Sequence, residues 1–204
     1  MLFELATLSC PILAADHVGQ AALDWVGNDD ADGDLIGAWL SELGQLGRVF
    51  LLRSFPDHDW LLAERRRALL SANPFHGGTA LTRLDTESYA PFPFLPPPRL
   101  GARGGLYEVR TYRLCPSGLA PTLAGWETAL CSTQPYTRHL VTALYALDGA
   151  PRITHVWGFD SLEQRAQLRR QAYGAGTWPP PGAPEQIADA SATIVLPLPG
   201  SPLH

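Results

Sequence analysis

The sequence repeats itself over most of its length. A shift of 104 positions places the second half on the first without a gap. Identical pairs occur in corresponding segments, among them Glu4/Glu108, Thr7/Thr111, Arg48/Arg152, Phe55/Phe159 and Asp85/Asp189. Chance supplies scattered identities but does not concentrate them in matching elements. The pattern predicts a tandem duplication of two similar units, with a period too long for a solenoid.

A proline- and glycine-rich segment separates the two units. APFPFLPPPRLGARGG, residues 90–105, cannot continue a helix or a central strand, and its prolines make it extended and stiff. We therefore divide the chain into a first half at 1–89, a connector at 90–105 and a second half at 106–204. The chain contains 204 residues, which suits two domains of this size.

Each half has the order β-α-β-β-α-β. In the second half, LYEVRTYRL alternates as a strand, and apolar residues at 119, 123, 126 and 130 recur at helical spacing. Ser161 with Gln164 forms a capping-box pattern before another helix, and Gly174 is expected to end that helix. This order is that of the ferredoxin-like split βαβ arrangement, so the predicted class is α+β.

Helices that cover one face of a four-stranded sheet leave the other face bare. In RITHVWGF, residues 152–159, one strand face carries His155, Trp157 and Phe159, and the other includes Gly158. We assign the face with the glycine to the helices, because small residues allow close packing. The aromatic face is too apolar to meet water, so we expect the two halves to close on each other. The prediction is an intrachain, pseudo-two-fold dimeric α/β barrel.

The same assignment turns the polar residues of strand 106–114 toward the barrel interior. Glu108 and Arg110 are expected to orient a ligand or stabilise negative charge there, or to form a structural ion pair. His155 is expected to act as a general base, as an axial haem ligand or as a hydrogen-bonded core histidine. Five further residues are expected to form walls and polar contacts: Tyr112, Trp157, Phe159, Arg53 and Glu4. The arginines of the last helix, Arg165, Arg169 and Arg170, are expected to form a solvated face.

These motifs resemble those of the NIPSNAP family within the dimeric α/β-barrel group. The resemblance rests on YEVRTYRL at 107–114, on THVWGFDSLEQRAQLRR at 154–170 and on Trp178, and it covers nearly the whole second half. The first half keeps SELGQLGRVF but lacks the corresponding histidine and tryptophan. The resemblance implies a ferredoxin-like barrel and says little about the reaction, because fold does not determine function.

Composition excludes several classes of function. All 15 basic residues are arginine, which excludes a Schiff-base lysine and a phosphate-loop lysine. The net charge of −5 and the absence of a basic cluster argue against nucleic acid and membrane partners. Three cysteines without close pairing fit a reduced, cytoplasmic setting. NDDADGD at 28–34 lacks the glutamate that a calcium loop needs, and no metal site is expected.

The expected function is binding of a small, partly apolar organic molecule in the barrel interior. The chemistry favoured is a cofactor-light oxygenation or isomerisation, in which His155 handles a proton. Two alternatives stay open: a haem-binding barrel with His155 as axial ligand, and a non-catalytic module that binds protein partners. No cofactor is required by the first hypothesis, and a homodimer of the tandem barrel is an additional expectation.

Overall fold

The computed structural model describes residues 1–131 and 134–204. Each half contributes four strands and two helices in the predicted order. The first half contains β1 (Leu2–Ser9), α1 (Ala15–Val26), β2 (Asp34–Leu43), β3 (Arg48–Phe55), α2 (His58–Leu70) and β4 (Arg83–Pro91). The second half contains β5 (Leu106–Leu114), α3 (Leu119–Leu130), β6 (Leu140–Ala146), β7 (Arg152–Phe159), α4 (Leu162–Gly174) and β8 (Ile187–Pro197).

The elements of the second half follow the period seen in the sequence. α3, α4 and β7 each begin and end 104 positions after α1, α2 and β3. Ser161 caps α4 by accepting a hydrogen bond from the backbone N–H of Gln164 at 3.1 Å, and the Gln164 side chain accepts from the N–H of Asp160 at 2.8 Å. The predicted start and end of α4 are therefore confirmed. The duplication as an event stays an inference from the sequence.

The eight strands form one closed barrel in the order β1-β3-β2-β8-β5-β7-β6-β4. Within each half the last strand pairs with the first, as β4 does with β1 and β8 with β5. The halves are joined edge to edge, because β2 pairs with β8 and β4 pairs with β6. The predicted fold class, an α+β barrel built from two ferredoxin-like halves, is confirmed. In the described part of the chain, no helix combines the length and apolar character needed to cross a membrane.

The barrel interior is filled by apolar side chains from both halves. Phe3 and Leu5 of β1 pack there with Tyr107 and Val109 of β5 and with Val156 of β7. Because these strands alternate, the neighbouring residues of each strand point outward, toward the helices. α1 and α2 cover the outer face of the first half, and α3 and α4 cover that of the second.

The side chains expected in the barrel interior do not point there. This prediction is wrong for β7, for β5 and for the corresponding strands of the first half, β3 and β1. His155, Trp157 and Phe159 lie outside the barrel, beneath the helices of their own half. Gly158 was taken as a sign of close helix packing. A Cβ at this position would instead meet the carbonyl oxygen of Arg103 at 2.5 Å, so the glycine makes room for the connector. The ligand site predicted for the barrel interior is therefore not formed.

Candidate functional site between the second sheet and its helices

The predicted site residues of the second half do come together, on the outer side of the sheet. Glu108, Arg110 and Tyr112 alternate along β5, and Arg110 pairs across the ladder with His155 of β7. Glu108 and His155 are fully buried, and Arg110 is 2% exposed. Two predicted residues of the first half, Glu4 and Arg53, occupy the equivalent position beneath α2. They lie in a separate cluster and do not contribute to this group.

An ion-pair network lies at one end of this group. Arg110 donates from Nη2 to Oε2 of Glu108 at 2.5 Å. Arg165 of α4 donates to the same carboxylate from Nε at 2.8 Å and from Nη2. Arg165 was expected on a solvated face, and that prediction is wrong, because its side chain is only 20% exposed. One buried carboxylate therefore ties α4 to the sheet and holds Arg110 in place.

Charge and burial act in opposite directions on Glu108. Burial tends to raise the pKa of this carboxyl, but the hydrogen bonds and charges of Arg165 and Arg110 outweigh it and hold the pKa below its usual value. The carboxylate is therefore ionised at neutral pH. This arrangement corresponds to the structural ion pair among the roles expected for Glu108 and Arg110.

His155 is a neutral imidazole whose orientation is set by a tryptophan. The indole N–H of Trp157 donates to Nδ1 of His155 at 2.6 Å. Burial lowers the pKa of His155 well below its usual value, and the charges of Arg110 and Arg169 lower it further. Nδ1 accepts a hydrogen bond, so the single ring proton is on Nε2. Nε2 makes no hydrogen bond with any residue that the structure describes.

Aromatic rings enclose the imidazole on its remaining sides. The ring centroids of Tyr112 and Trp126 lie 4.8 and 5.0 Å from that of His155. Trp126 belongs to α3 and also contacts Trp178 at 5.1 Å, edge to face. Tyr136 stacks on Trp157 at 4.5 Å, and its hydroxyl is buried without a hydrogen bond of normal geometry among the described residues.

This packing does not fit haem at His155. An axial histidine presents Nε2 to an open face wide enough for the macrocycle. Here the imidazole is fully buried, and the rings of Tyr112 and Trp126 lie against it. Nor do the described residues contain a group of three or more histidine, cysteine, aspartate or glutamate side chains arranged to hold a metal ion.

A cavity of about 260 Å³ lies between α3, α4 and the segment that follows α4, and Tyr112 and Trp126, whose rings pack against His155, form part of its wall. We call it the aromatic cavity. Its walls include four aromatic and three proline side chains: Tyr112, Trp126, Tyr173, Trp178, Pro179, Pro180 and Pro184. Thr122 of α3 also lines it; this residue is 1% exposed, and its hydroxyl has no hydrogen-bond partner in the part of the chain described.

Sequence reasoning found Tyr112 and missed most of the other walls of this cavity. Trp126 was used only to predict the helix, and Thr122, four residues earlier on the same face of α3, was not singled out. Trp178 was noticed, but the run of prolines that follows it, at 179–181, was not linked to a binding site. An aromatic residue followed by prolines, directly after a helix, was the available signal.

Some known proteins resemble about half of the chain, and others resemble nearly all of it. The NIPSNAP family model matches residues 107–202. A solved NIPSNAP family protein with unknown function from Agrobacterium tumefaciens str. C58 is 28% identical, with a TM-score of 0.44; the match covers 50% of this chain and 96% of that one. None of the curated proteins compared with the chain matches it.

Two other solved structures match nearly the whole chain. A candidate monooxygenase from Lactobacillus acidophilus NCFM has a TM-score of 0.61 and 7% identity, and the match covers 97% of this chain and 94% of that one. An anthrone oxidase-like protein has a TM-score of 0.62 and 9% identity, and the match covers 97% and 91%. At these identities the likeness shows that the barrel fold is shared.

Proposed function

Because the NIPSNAP family model matches residues 107–202, we infer that the second half carries the function of the chain. We propose that it binds a small, flat, largely apolar organic molecule in the aromatic cavity. The expected ligand class is retained, and its expected place changes from the barrel interior to the space between the sheet and its helices. One observation carries the proposal: the buried hydroxyl of Thr122, without a partner among the described residues, in the wall of an aromatic cavity.

The size and lining of the cavity indicate a molecule of one or two fused rings. An apolar cavity of roughly 150 Å³ is enough to hold benzene, and this cavity measures about 260 Å³. Ligand sites are concave and mostly apolar, with few polar groups that set orientation. Trp126 and Trp178 meet at an interplanar angle of 87°, which provides a face and an edge for a planar ligand.

Thr122 supplies the polar contact. A buried hydroxyl without a partner costs about 1–3 kcal/mol. A ligand with a carbonyl or amide group would satisfy the hydroxyl while its ring fills the apolar space. Tyr112 and Tyr173 also carry hydroxyls in the wall, and Thr122 differs from them in having a buried hydroxyl without a partner among the described residues. The site therefore favours a molecule with a polar substituent.

The expected reaction, a cofactor-light oxygenation or isomerisation, stays a prediction. The geometry supports binding more directly than turnover. His155 is fully buried and its Nδ1 already accepts the indole N–H. As a neutral group with its proton on Nε2, it is suited to donate a hydrogen bond and unsuited to act as a general base.

Titration with 2-naphthamide, followed by tryptophan fluorescence, tests the proposal. We expect saturable quenching, because Trp126 and Trp178 line the cavity. Ala183→Leu should abolish the saturation by filling the space, since Ala183 is a buried wall residue. Ala120→Leu is the matched control: Ala120 lies on the same helix as Thr122 but lines a different groove, so binding should persist.

A second variant keeps the test valid if Ala183→Leu disturbs the fold. Thr122→Val preserves the shape and removes the hydroxyl, and it should weaken the affinity for 2-naphthamide about three- to tenfold. Quenching that saturates with neither 2-naphthamide nor its acid, 2-naphthoate, or an affinity for 2-naphthamide that is unchanged in both variants, would show that the aromatic cavity is not a binding site.

A further inference from the structure

The space beneath α3 and α4 holds more positive than negative charge. Glu108 binds both Arg110 and Arg165. Arg169, one turn further along α4, forms no ion pair with any carboxylate that the structure describes. Three guanidinium groups thus accompany one carboxylate, and His155 adds no compensating charge because it is neutral.

The first half balances its own cluster of arginines with two carboxylates. There Glu4 binds Arg53 and Arg65, while Glu64 of α2 binds Arg53 and Arg67. The position 104 residues after Glu64 is occupied by Leu168. Of the three first-half arginines, Arg65 alone has an arginine, Arg169, at the position 104 residues later. The second half therefore places Arg169 near its buried glutamate without a second carboxylate that would neutralise it.

Arg169 lies next to one residue of the wall of the aromatic cavity. Its Nη2 donates to the hydroxyl of Tyr173 over a long 3.4 Å, and its guanidinium lies 5.5 Å from the centroid of the same ring. Tyr173 is one of the aromatic residues that line the cavity. Burial lowers the pKa of His155, and the charges of Arg110 and Arg169 add to this effect, so Arg169 acts on the interior of the site. Arg165 already uses two of its N–H donors on Glu108. Arg169 is therefore the arginine whose guanidinium is available to bind a ligand.

We propose that the ligand of the aromatic cavity is a small aromatic carboxylic acid, with its ring packed against Trp126 and Trp178 and its carboxylate bound by Arg169. This inference rests on the proposed function, and it adds the charge of the ligand. A guanidinium binds a carboxylate through two parallel N–H···O bonds. The carboxylate would supply the negative charge that Leu168 does not.

The test compares two ligands of the same shape and different charge, 2-naphthoate and 2-naphthamide. Hydrogen bonds to charged groups contribute about 1.5–3 kcal/mol, so the unaltered protein should bind 2-naphthoate at least about tenfold more tightly than the amide. Arg169→Gln should bring the two affinities close together by weakening the acid alone. Arg170→Gln, at the exposed neighbouring position, should leave the preference for the acid unchanged.

Each result separates this inference from the proposed function. Saturable and equal binding of both ligands by the unaltered protein would overturn the inference and leave the proposed function standing. Saturation with neither ligand would overturn both. A loss of preference in Arg170→Gln as large as in Arg169→Gln would also overturn the inference, since it would indicate a general positive field. If Arg169→Gln does not fold, Arg169→Lys retains the charge without the fork and should lower the preference severalfold.

Discussion

The indole N–H of Trp157 donates to Nδ1 of His155 at 2.6 Å, between two residues on the same face of one strand. An indole nitrogen can only donate, so the contact requires Nδ1 to be unprotonated. It therefore selects the tautomer with the proton on Nε2. Burial and two nearby arginines keep the ring neutral. His155 can therefore donate a hydrogen bond from Nε2, while its Nδ1 is already occupied by the indole.

The first prediction concerns this tautomer. In ¹⁵N-labelled protein at pH 7, the ring of His155 should show a protonated Nε2 and an unprotonated Nδ1. Trp157→Phe removes the donor and should allow the other tautomer to appear. A ring that is doubly protonated at pH 7, or a tautomer that does not respond to Trp157→Phe, would contradict the proposed role of the indole.

The second prediction concerns stability against pH. The pKa of His155 is well below its usual value in the folded protein and about 6.5 in the unfolded chain. Between these values the unfolded state binds one more proton, so the free energy of unfolding decreases as the pH falls below about 6.5. The unaltered protein should lose up to about 1.4 kcal/mol per pH unit more than His155→Phe.

Urea unfolding of both proteins from pH 7 to pH 5 measures this difference. The window stays above the range at and below about pH 4.3, where the glutamates of the unfolded chain take up protons while folded Glu108, whose pKa is lowered, stays ionised. If the free energies of unfolding of the two proteins change in parallel with pH, His155 takes up its proton as readily in the folded protein as in the unfolded chain, and its pKa is not lowered.

The third prediction concerns the buried carboxylate. Glu108→Gln leaves Arg110 and Arg165 without their counter-charge, and removing one partner of a buried pair costs about 3–5 kcal/mol. The urea midpoint should fall accordingly. Asp85→Asn serves as the control, because it breaks the exposed Arg83–Asp85 pair, whose guanidinium is 68% exposed, and should leave the midpoint nearly unchanged. Equal effects of the two substitutions would contradict a structural role for Glu108.

The fourth prediction tests the corrected face of β7. Gly158→Ala places a Cβ against the carbonyl oxygen of Arg103, which belongs to the connector. Moving this backbone should destabilise the protein by about 1–3 kcal/mol. Gly105→Ala is the matched control, since nothing lies within 4 Å of a Cβ there. A neutral Gly158→Ala would indicate that the connector does not pack on β7 as described.

The fifth prediction concerns haem. Titration with hemin should produce no Soret shift that depends on His155, because the rings of Tyr112 and Trp126 cover the imidazole. His155→Ala should therefore bind hemin as weakly as the unaltered protein. A Soret shift that is lost in His155→Ala would show that these rings move aside.

The sequence by itself determined the element order, the barrel and the grouping of residues along each strand. A period of two identifies which side chains share a face, and it correctly grouped His155 with Trp157 and Glu108 with Arg110. The spacing of Ser161 and Gln164 determined where α4 begins. These features are local, and local geometry follows from neighbouring residues.

Only the tertiary structure decided which face of each strand meets the helices. In a closed barrel covered by helices, both faces of a strand are buried, so hydrophobicity does not distinguish inside from outside. Gly158 was used to assign the two faces of β7. Its lack of a side chain instead makes room for the backbone of Arg103, 55 positions earlier in the chain. Likewise, Thr122, Arg169 and Trp178 line or flank one cavity because three separate segments converge there. Such contacts depend on chain packing, and the alternation within a strand carries no information about them.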